Sequence, residues 1–329
     1  LKYLGPVDGH DIEAMENILK AAKDFGGPVI VHAITEKGRG FAPAVNDEAE
    51  RFHAVGPVDP ETGEALASSG KTWTSVFSEE LLSIGRTDPK VVALTAAMLG
   101  PTGLDKFAEE FPTRTVDVGI AEQHAVASAA GLAFGGLHPV VALYSTFLNR
   151  AFDQLLLDVA LHKAAVTFVL DRSGITGDDG PSHHGMWDLA LTGIVPHLKV
   201  AAPRDGSRLQ ELLREAIAIS EQPTLLRFPK GSVAADIPAF ERRDGIDVLY
   251  RGESADILIV SVGAMASLAV EAAAQAYREG VGVTVIDPRW VKPLAPAILT
   301  MAQRYAHVVV IEDGIRRGGI ASALAESMR

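Results

Sequence analysis

The first residue whose position suggests chemistry is Glu122, in residues 117–125 (DVGIAEQHA). The pattern predicts a short strand that turns at Gly119 into a helix of small residues continuing to about Phe134, with Glu122 in its first turn. A carboxylate there interacts favourably with the helix dipole, and that structural role could explain it. Alternatively, apolar neighbours such as Ile120 could keep the carboxyl group dry enough for proton transfer.

A second cluster occupies residues 144–150 (YSTFLNR), directly after an apolar run predicted to be a strand. Ligands bind at the carboxyl ends of parallel strands, so this is a predicted functional position. Tyr144 and Phe147 lie three residues apart at the start of a predicted helix, where they could pack in the core or form a stacking platform. Arg150 is harder to explain as a core residue.

A third cluster is the loop 171–185 (DRSGITGDDGPSHHG), which contains Arg172, Asp179 and His183 and follows another apolar run. Its residues are too polar for simple packing. Asp and His are metal ligands, so a metal site is one interpretation. Adjacent histidine side chains in an extended segment point apart, so we favour a loop that binds anions and carbonyl groups.

Three more polar residues lie at predicted strand ends or turns, namely Lys37, His53 and Lys230. Each alone could be a solvated turn residue. Together, however, Arg150, Arg172 and Lys230 supply positive charge to a chain whose formal net charge is −12. This contrast predicts a local site for a small phosphorylated substrate.

Short apolar runs that alternate with helical patterns must position these residues, and the alternation predicts βαβ units with largely parallel sheets. The predicted strands are 29–34, 91–95, 115–118, 140–143, 166–170, 198–201, 224–228, 257–262, 283–286 and 308–311. Breaks in this alternation at 42–71 and 230–253 predict that the chain has three pieces. These are residues 1–57, 72–236 and 237–329, with a linker at 58–71.

Composition excludes several classes of protein. The 30 Lys and Arg residues against 42 Asp and Glu argue against a nucleic-acid partner. The absence of cysteine excludes disulfides and thiol chemistry and favours a cytoplasmic location. No apolar run reaches the length of a membrane span, so no membrane partner is expected. No P-loop and no G-x-G-x-x-G motif follows a predicted strand.

Six motifs in order along the chain resemble one enzyme family. They are residues 5–11 (GPVDGHD), 37–40 (KGRG), 52–55 (FHAV), 118–125 (VGIAEQHA), 144–150 (YSTFLNR) and 177–185 (GDDGPSHHG). The chain resembles the 1-deoxy-D-xylulose-5-phosphate synthases, which are thiamine diphosphate enzymes of the transketolase superfamily. The resemblance implies a thiamine diphosphate-binding α/β fold, a parallel sheet covered by helices, followed by a transketolase C-terminal-like α/β domain.

The resemblance also implies an activity and roles for residues. The reaction joins pyruvate to D-glyceraldehyde 3-phosphate with loss of CO2, and the product feeds isoprenoid, thiamine and pyridoxal synthesis. Glu122 corresponds to the glutamate that hydrogen-bonds the cofactor's aminopyrimidine, and Ile120, Phe147 and Phe41 would also contact the cofactor. The remaining implied roles are proton transfer or polar lining for His53, His183, Asp179 and Lys37, and phosphate binding for Tyr144, Arg150, Arg172 and Lys230. Phe41 stands where the family often has Tyr, and Lys230 where it commonly has Arg.

One family motif is not found. The Gly-Asp-Gly and distant Asn that hold diphosphate and Mg²⁺ do not occur in this sequence. We therefore expect residues 1–57 to be the tail of a diphosphate-binding domain whose metal ligands precede Leu1, residues 72–236 to be the pyrimidine-binding domain, and residues 237–329 to be a truncated C-terminal domain. We also expect that the chain alone does not bind the cofactor productively.

Alternatives remain at this point. A transketolase or the β subunit of a 2-oxo-acid dehydrogenase carries a similar glutamate-bearing domain, although the β subunit is not expected to carry the motifs at 5–11 and 52–55. A non-catalytic interaction fragment is a candidate of another class. A catalytic role requires Glu122, Phe147, His53, His183 and Arg172 to line one cleft. A homodimer is implied by the resemblance only.

Overall fold

The computed structural model describes residues 1–47, 51–53, 55–66 and 70–328, so Ala54 of the 52–55 motif lies outside the described residues. The chain divides into two compact units, Leu1–Ser69 and Gly70–Arg329. Among the described residues, no helix is both long and apolar enough to cross a membrane.

The first unit is a βαβ element. Strand β1 (Lys2–Asp8) pairs in parallel with β2 (Val29–Ile34), and helix α1 (Ile12–Phe25) connects them. The Asp11 carboxylate caps α1 by accepting a hydrogen bond from the Ala14 amide at 3.0 Å. A short helix, α2 (Ala42–Asn46), follows β2 inside the segment predicted to be loop.

The second unit contains the remaining elements. Its strands are β3 (Val91–Thr95), β4 (Thr115–Asp117), β5 (His138–Tyr144), β6 (Thr167–Asp171), β7 (Lys199–Ala201), β8 (Thr224–Arg227), β9 (Glu241–Arg243), β10 (Ile246–Tyr250), β11 (Ile257–Ser261), β12 (Val283–Asp287), β13 (Trp290–Lys292) and β14 (His307–Ile311). Its helices are α3 (Trp73–Thr87), α4 (Asp105–Glu110), α5 (Glu122–Phe134), α6 (Phe152–Gln154), α7 (Asp188–Gly193), α8 (Gly206–Ala218), α9 (Ala266–Arg278), α10 (Pro296–Ala302) and α11 (Ile320–Ser327).

A seven-stranded sheet forms the first lobe of this unit, in the order β13-β7-β8-β6-β5-β3-β4. All its strands are parallel except β13. Side chains alternate across the sheet, so Val92 and Leu94 pack in one apolar cluster with α5, while Val91 and Ala93 pack in another with α3 and α8. Helices cover both faces of a mainly parallel sheet, which confirms the predicted fold class.

A five-stranded sheet forms the second lobe, residues 241–327, in the order β14-β11-β12-β10-β9. Every apolar run predicted to be a strand overlaps a strand of the structure. The stretch 230–253, which was predicted to interrupt the strand pattern, contains β9 and β10. These strands form a hairpin around Asp244 (φ 50°) and Gly245 (φ 86°), and an Asp-Gly pair favours this kind of tight turn.

Candidate active site at the carboxyl edge of the seven-stranded sheet

The predicted site residues of the second unit follow the carboxyl ends of strands in the same sheet. Glu122 comes after β4, the 144–150 cluster after β5, the 171–185 loop after β6, and Lys230 after β8. Parallel pairing brings these strand ends to one edge of the sheet, where α/β proteins bind ligands.

A tight turn places Glu122 at the first residue of α5. The Asp117 Oδ1 atom accepts hydrogen bonds from the amides of Ala97 at 2.7 Å and Gly119 at 2.9 Å. Gly119 has a φ of 70°, a left-handed conformation that favours glycine. This geometry turns the chain from β4 directly into the helix.

Glu122 is only 3% exposed, and its carboxylate is poorly satisfied. The nearest cation is Arg150, whose Nε lies 3.9 Å from Oε1 but whose side chain is 58% exposed. Within the described residues, Oε2 has no hydrogen-bond donor. A buried carboxylate oxygen without a donor is costly, and a ligand that donates a hydrogen bond there would relieve the cost.

Ile120 lies in the turn before α5 and is 80% exposed. Its side chain therefore does not provide the dry wall that the sequence suggested, because the turn at Gly119 leaves it in solvent. Its contact with a cofactor stays a prediction.

Three rings come together at this edge of the sheet. Tyr144 and Phe147 stack with their centroids 5.9 Å apart, and His183 meets the Phe147 ring edge to face at 5.6 Å. A hydrogen bond holds the two segments together, because the Thr146 side-chain hydroxyl donates to the Ser182 backbone carbonyl at 3.1 Å. Two segments that are 36 residues apart are thus held together around a partly buried histidine.

Arg172 joins this aromatic group to the neighbouring strand. Its guanidinium lies 4.1 Å from the centre of the Tyr144 ring and forms an ion pair with Asp171 at 3.0 Å. Burial raises the pKa of Asp171, and the nearby Arg172 opposes that rise. Burial also raises the pKa of the Tyr144 phenol, which therefore remains a hydroxyl donor at neutral pH.

Lys230 and Asp179 complete the group at this edge. The Nζ of Lys230 lies 2.9 Å from the Asp179 carboxylate, and both side chains are about one-third exposed, at 33% and 29%. The structure thus links Glu122 to Arg150, Tyr144 to Phe147, His183 and Arg172, and Lys230 to Asp179.

The other predicted residues lie in the first unit. Lys37 is in the turn after β2, Phe41 precedes α2, and His53 is exposed in a bend. The Phe41 ring meets Phe52 at a centroid distance of 5.7 Å. The roles of Lys37, Phe41 and His53 stay predictions.

Sequence reasoning did not find the partners of the buried charged residues Asp171 and Arg227. Asp171 Oδ2 accepts a hydrogen bond from Thr74 Oγ1 at 2.5 Å. Arg227 is 2% exposed and pairs with Asp188 at 2.7 Å and Asp313 at 2.6 Å. A charged residue at the end of an apolar strand was the available signal, but its partners are 39 and 86 residues away in the chain.

The side chains at this edge are compared with what a metal ion and an aminopyrimidine cofactor would each need. Among residues 1–47, 51–53, 55–66 and 70–328, no group of three or more His, Asp or Glu side chains could hold a metal ion. His183 and His184 bond to different partners, Ser182 and Thr176. The unsatisfied Glu122 oxygen and the Phe147 ring instead match the acceptor and stacking surface that an aminopyrimidine needs.

Three family models match successive parts of the chain. Residues 1–35 match 1-deoxy-D-xylulose-5-phosphate synthase, residues 69–235 match the transketolase pyrimidine binding domain, and residues 247–329 match the transketolase C-terminal domain.

Curated relatives are similar along the whole chain. The 1-deoxy-D-xylulose-5-phosphate synthase of Leifsonia xyli subsp. xyli is 60% identical over 331 residues, and that of Clavibacter sepedonicus is 59% identical over 331 residues. Both alignments cover 100% of this chain and 51% of the relative. The chain spans about half the length of the curated relatives it matches.

Solved structures are similar in fold. A split-gene transketolase, described as an inactive β4 tetramer, is 30% identical with a TM-score of 0.70, covering 78% of this chain and 85% of that one. A transketolase from Pichia stipitis is 20% identical with a TM-score of 0.66, covering 80% of this chain and 44% of that one.

Proposed function

This chain belongs to the transketolase family, and from that premise we propose that it supplies the pyrimidine-binding part of a 1-deoxy-D-xylulose-5-phosphate synthase. The proposed reaction condenses pyruvate with D-glyceraldehyde 3-phosphate and releases CO2. The observation that carries the proposal is Glu122, a buried carboxylate with an unsatisfied oxygen at the carboxyl edge of the sheet. The 60% identity with the Leifsonia xyli relative supports the substrate pair.

Glu122 and Phe147 would hold the cofactor that the family implies. Thiamine diphosphate, when bound, supplies the carbon nucleophile of the reaction. Glu122 would accept a hydrogen bond from the aminopyrimidine, and Phe147 would stack against it, with Ile120 and Phe41 as further contacts. Because Glu122 is held out of water, its hydrogen bond to the cofactor would not compete with solvent.

Arg172 is the strongest candidate for binding the aldehyde's phosphate. Its side chain is 16% exposed and fixed over Tyr144, so little freedom remains to be lost on binding. Arg150 and Lys230 would add charge from either side, and the Tyr144 hydroxyl would donate to a phosphate oxygen. Arg172 and Lys230 each lie close to a carboxylate, Asp171 and Asp179, so both cations would be partly neutralised before phosphate binds.

His183 would transfer protons at the reacting carbonyl groups. The edges and faces of Phe147 and Tyr144 orient its ring, and Ser182 Oγ lies 3.0 Å from Nδ1. The opposite nitrogen is therefore the one available to substrate. His53, Lys37 and Asp179 would complete the polar lining.

We propose the following domain roles and assembly as part of the same function. Residues 1–57 are the tail of a diphosphate-binding domain, 58–71 a linker, 72–236 the pyrimidine-binding domain and 237–329 a C-terminal domain. The Mg²⁺ ligands would lie outside this chain, and the assembled enzyme would be a homodimer in the cytoplasm that serves isoprenoid and thiamine synthesis. Light scattering of the assembled enzyme measures the oligomer directly.

The test combines the purified chain with the part of the Leifsonia xyli relative that the chain does not cover. Thiamine diphosphate, Mg²⁺, pyruvate and glyceraldehyde 3-phosphate are added, and the ketose phosphate is identified by NMR. Formation of 1-deoxy-D-xylulose 5-phosphate is expected from the mixture.

A second donor separates the alternatives. Faster turnover with a ketose phosphate than with pyruvate would instead assign a transketolase, which the 30% identity with the split-gene transketolase makes the second candidate. Absence of any product from either donor would contradict a catalytic role.

A further inference from the structure

The second lobe contacts the base of the 171–185 loop through the carboxylate of Asp313. We propose that Asp313, in the loop after β14, is a positioning residue for the 171–185 loop and thereby sets the affinity for the phosphorylated aldehyde. The proposal rests on the proposed function for the identity of the substrate, but not for the contact itself.

A continuous set of buried polar contacts connects Asp313 to that loop. Arg227 Nη1 donates to Asp313 Oδ1 at 2.6 Å, and Arg227 Nε donates to Asp188 Oδ2 at 2.7 Å. The same Asp188 oxygen accepts a hydrogen bond from Ser173 Oγ at 2.9 Å. Ser173 is the residue immediately after Arg172, so the contacts end beside the proposed phosphate-binding side chain.

Arg227 is buried, and its Nε and Nη1 atoms donate to two different carboxylates. The side chain of Arg227 is 2% exposed, that of Asp188 is 1% exposed, and that of Asp313 is 14% exposed. Loss of the Asp313 charge leaves Arg227 balanced by Asp188 alone but weakens the acceptor of its buried Nη1 group, and a poorly satisfied buried donor is costly, so the remaining groups rearrange. Loss of Asp313 would therefore disturb the contact of Arg227 with Asp188, which holds Ser173.

Packing constrains the same place independently of charge. Gly174 and Gly185 exchange two backbone hydrogen bonds, of 3.0 and 2.8 Å, that close the base of the loop. A Cβ atom on Gly174 would lie 2.9 Å from Asp313 Oδ2. The loop base is thus seated directly against Asp313.

A backbone contact extends the support beyond the loop. The Ile315 amide donates to the Met186 carbonyl at 2.9 Å, one residue after the loop ends. The second lobe therefore holds both ends of the segment that carries Arg172, Asp179 and His183. Arg172 itself has a φ of 61°, a left-handed conformation that a non-glycine residue keeps only when its surroundings hold it.

The test compares Asp313→Asn with Asp287→Asn. The control also removes a carboxylate from a buried arginine between the lobes, since Arg204 Nη1 lies 2.7 Å from Asp287, but it does not reach the loop. Hydrogen exchange of the peptide spanning 172–186 is measured in the whole chain. We expect Asp313→Asn to raise its exchange rate about tenfold and Asp287→Asn to leave it within about twofold.

Ser173→Ala is a second variant, to be used if Asp313→Asn does not fold. It removes only the hydrogen bond from Ser173 to Asp188, and it should also raise the exchange rate of the peptide 172–186. In the assembled enzyme, Asp313→Asn should raise the KM for glyceraldehyde 3-phosphate about tenfold while kcat changes less than about threefold.

Two outcomes overturn the inference: exchange of 172–186 that is equal in both carboxamide variants, or a KM that does not change. Faster exchange in Asp313→Asn with no ketose phosphate from the wild type would support the loop contact while contradicting the proposed function.

Discussion

At the scale of single residues, Glu122 combines properties that a structural carboxylate rarely has. It begins α5, where the helix dipole favours negative charge, yet one of its oxygens has no donor in the part of the chain that the structure describes. A carboxylate in a purely structural role at a helix start usually accepts hydrogen bonds from nearby backbone amides. The unsatisfied oxygen supports the proposal that Glu122 accepts a hydrogen bond from a ligand.

Replacing Glu122 by Gln should separate these roles. Gln keeps the shape but loses the charge, so activity of the assembled enzyme should fall at least about a hundredfold. The free energy of unfolding should change by less than about 1 kcal/mol or increase, because a poorly satisfied buried charge is removed. Steady-state rates and urea denaturation measure the two effects.

Glu110→Gln is the matched control for this variant. Glu110 pairs with Arg86 at the surface, so its loss should leave the rate unchanged and cost under about 1 kcal/mol. Loss of stability without loss of rate in Glu122→Gln would assign Glu122 to the fold.

Arg172→Lys should weaken binding of the phosphorylated substrate. Lysine keeps the charge but loses the planar contact with Tyr144 and the paired donors. We expect the KM for glyceraldehyde 3-phosphate to rise about tenfold or more, with a smaller change in kcat. Arg86→Lys at the surface serves as the control, and an unchanged KM in Arg172→Lys would remove Arg172 from the phosphate site.

At the scale of elements, a line of hydrogen bonds crosses three adjacent strands at the amino-terminal side of the sheet. His138 on β5 bonds to Thr167 on β6 at 2.8 Å, and Thr167 bonds to Thr224 on β8 at 2.9 Å. Burial lowers the pKa of His138 to about 4 from an ordinary 6.5. The central strands therefore contain a histidine that is held neutral at neutral pH.

Because His138 is buried and neutral, we expect the free energy of unfolding to fall in acid. The unfolded chain binds the His138 proton near pH 6.5 and the folded chain only near pH 4, so its contribution is complete above pH 6.5 and is lost as the pH falls through 4. That loss is on the order of 3 kcal/mol. In His138→Gln the free energy of unfolding should vary less between pH 6.5 and 4.

Urea denaturation at several pH values measures this change. His162, an exposed histidine, provides the control, since His162→Gln should keep the wild-type pH dependence. Identical pH profiles for wild type and His138→Gln would contradict the assignment.

Many strands and helices could be predicted from the sequence. The apolar runs identify strands such as β6 and β12 because both are buried throughout, and α5 ends at Phe134 as its small-residue pattern indicates. The β9–β10 hairpin was not predicted, because charged residues such as Arg242 and Arg243 interrupt the alternation of apolar and polar residues. The Asp-Gly turn was nevertheless visible in the sequence. Strand β1 escaped because glycine and proline interrupt it.

The candidate site shows the same limit. Its residues could be found because they follow strand ends, a property of local sequence. Their partners could not be found, because contacts such as Arg227 with Asp313 depend on how distant segments pack. Which groups are left without a partner, as with Glu122 Oε2, is likewise visible only once the chain is folded.

At the scale of the whole second unit, buried ion pairs join its two lobes. Arg204, which follows β7, is 1% exposed and pairs with Asp247 on β10 at 2.6 Å and Asp287 on β12 at 2.7 Å. Strand β13, which follows β12, also pairs with β7 of the seven-stranded sheet. The second lobe is therefore fixed to the sheet that carries the site.

Removing Arg204 should destabilise both lobes together. Arg204→Ala leaves the buried Asp287 without its cation, whereas Asp247 keeps Arg242, and the change should cost about 3 to 5 kcal/mol in the free energy of unfolding. Urea denaturation checks the loss, and Arg86→Ala, which breaks a surface pair, should cost under about 1 kcal/mol. A loss for Arg204→Ala as small as that of the control would show that this contact does not hold the lobes.

We propose that the carboxyl edge of the seven-stranded sheet, and Glu122 in particular, serves a decarboxylating condensation in the assembled enzyme. The most direct measurement follows release of labelled CO2 from [1-13C]pyruvate in the assembled enzyme, with glyceraldehyde 3-phosphate present, for wild type and Glu122→Gln. We predict CO2 and ketose phosphate in equal amounts from the wild type and a rate at least about a hundredfold lower from Glu122→Gln. Equal rates from the two proteins would contradict the account.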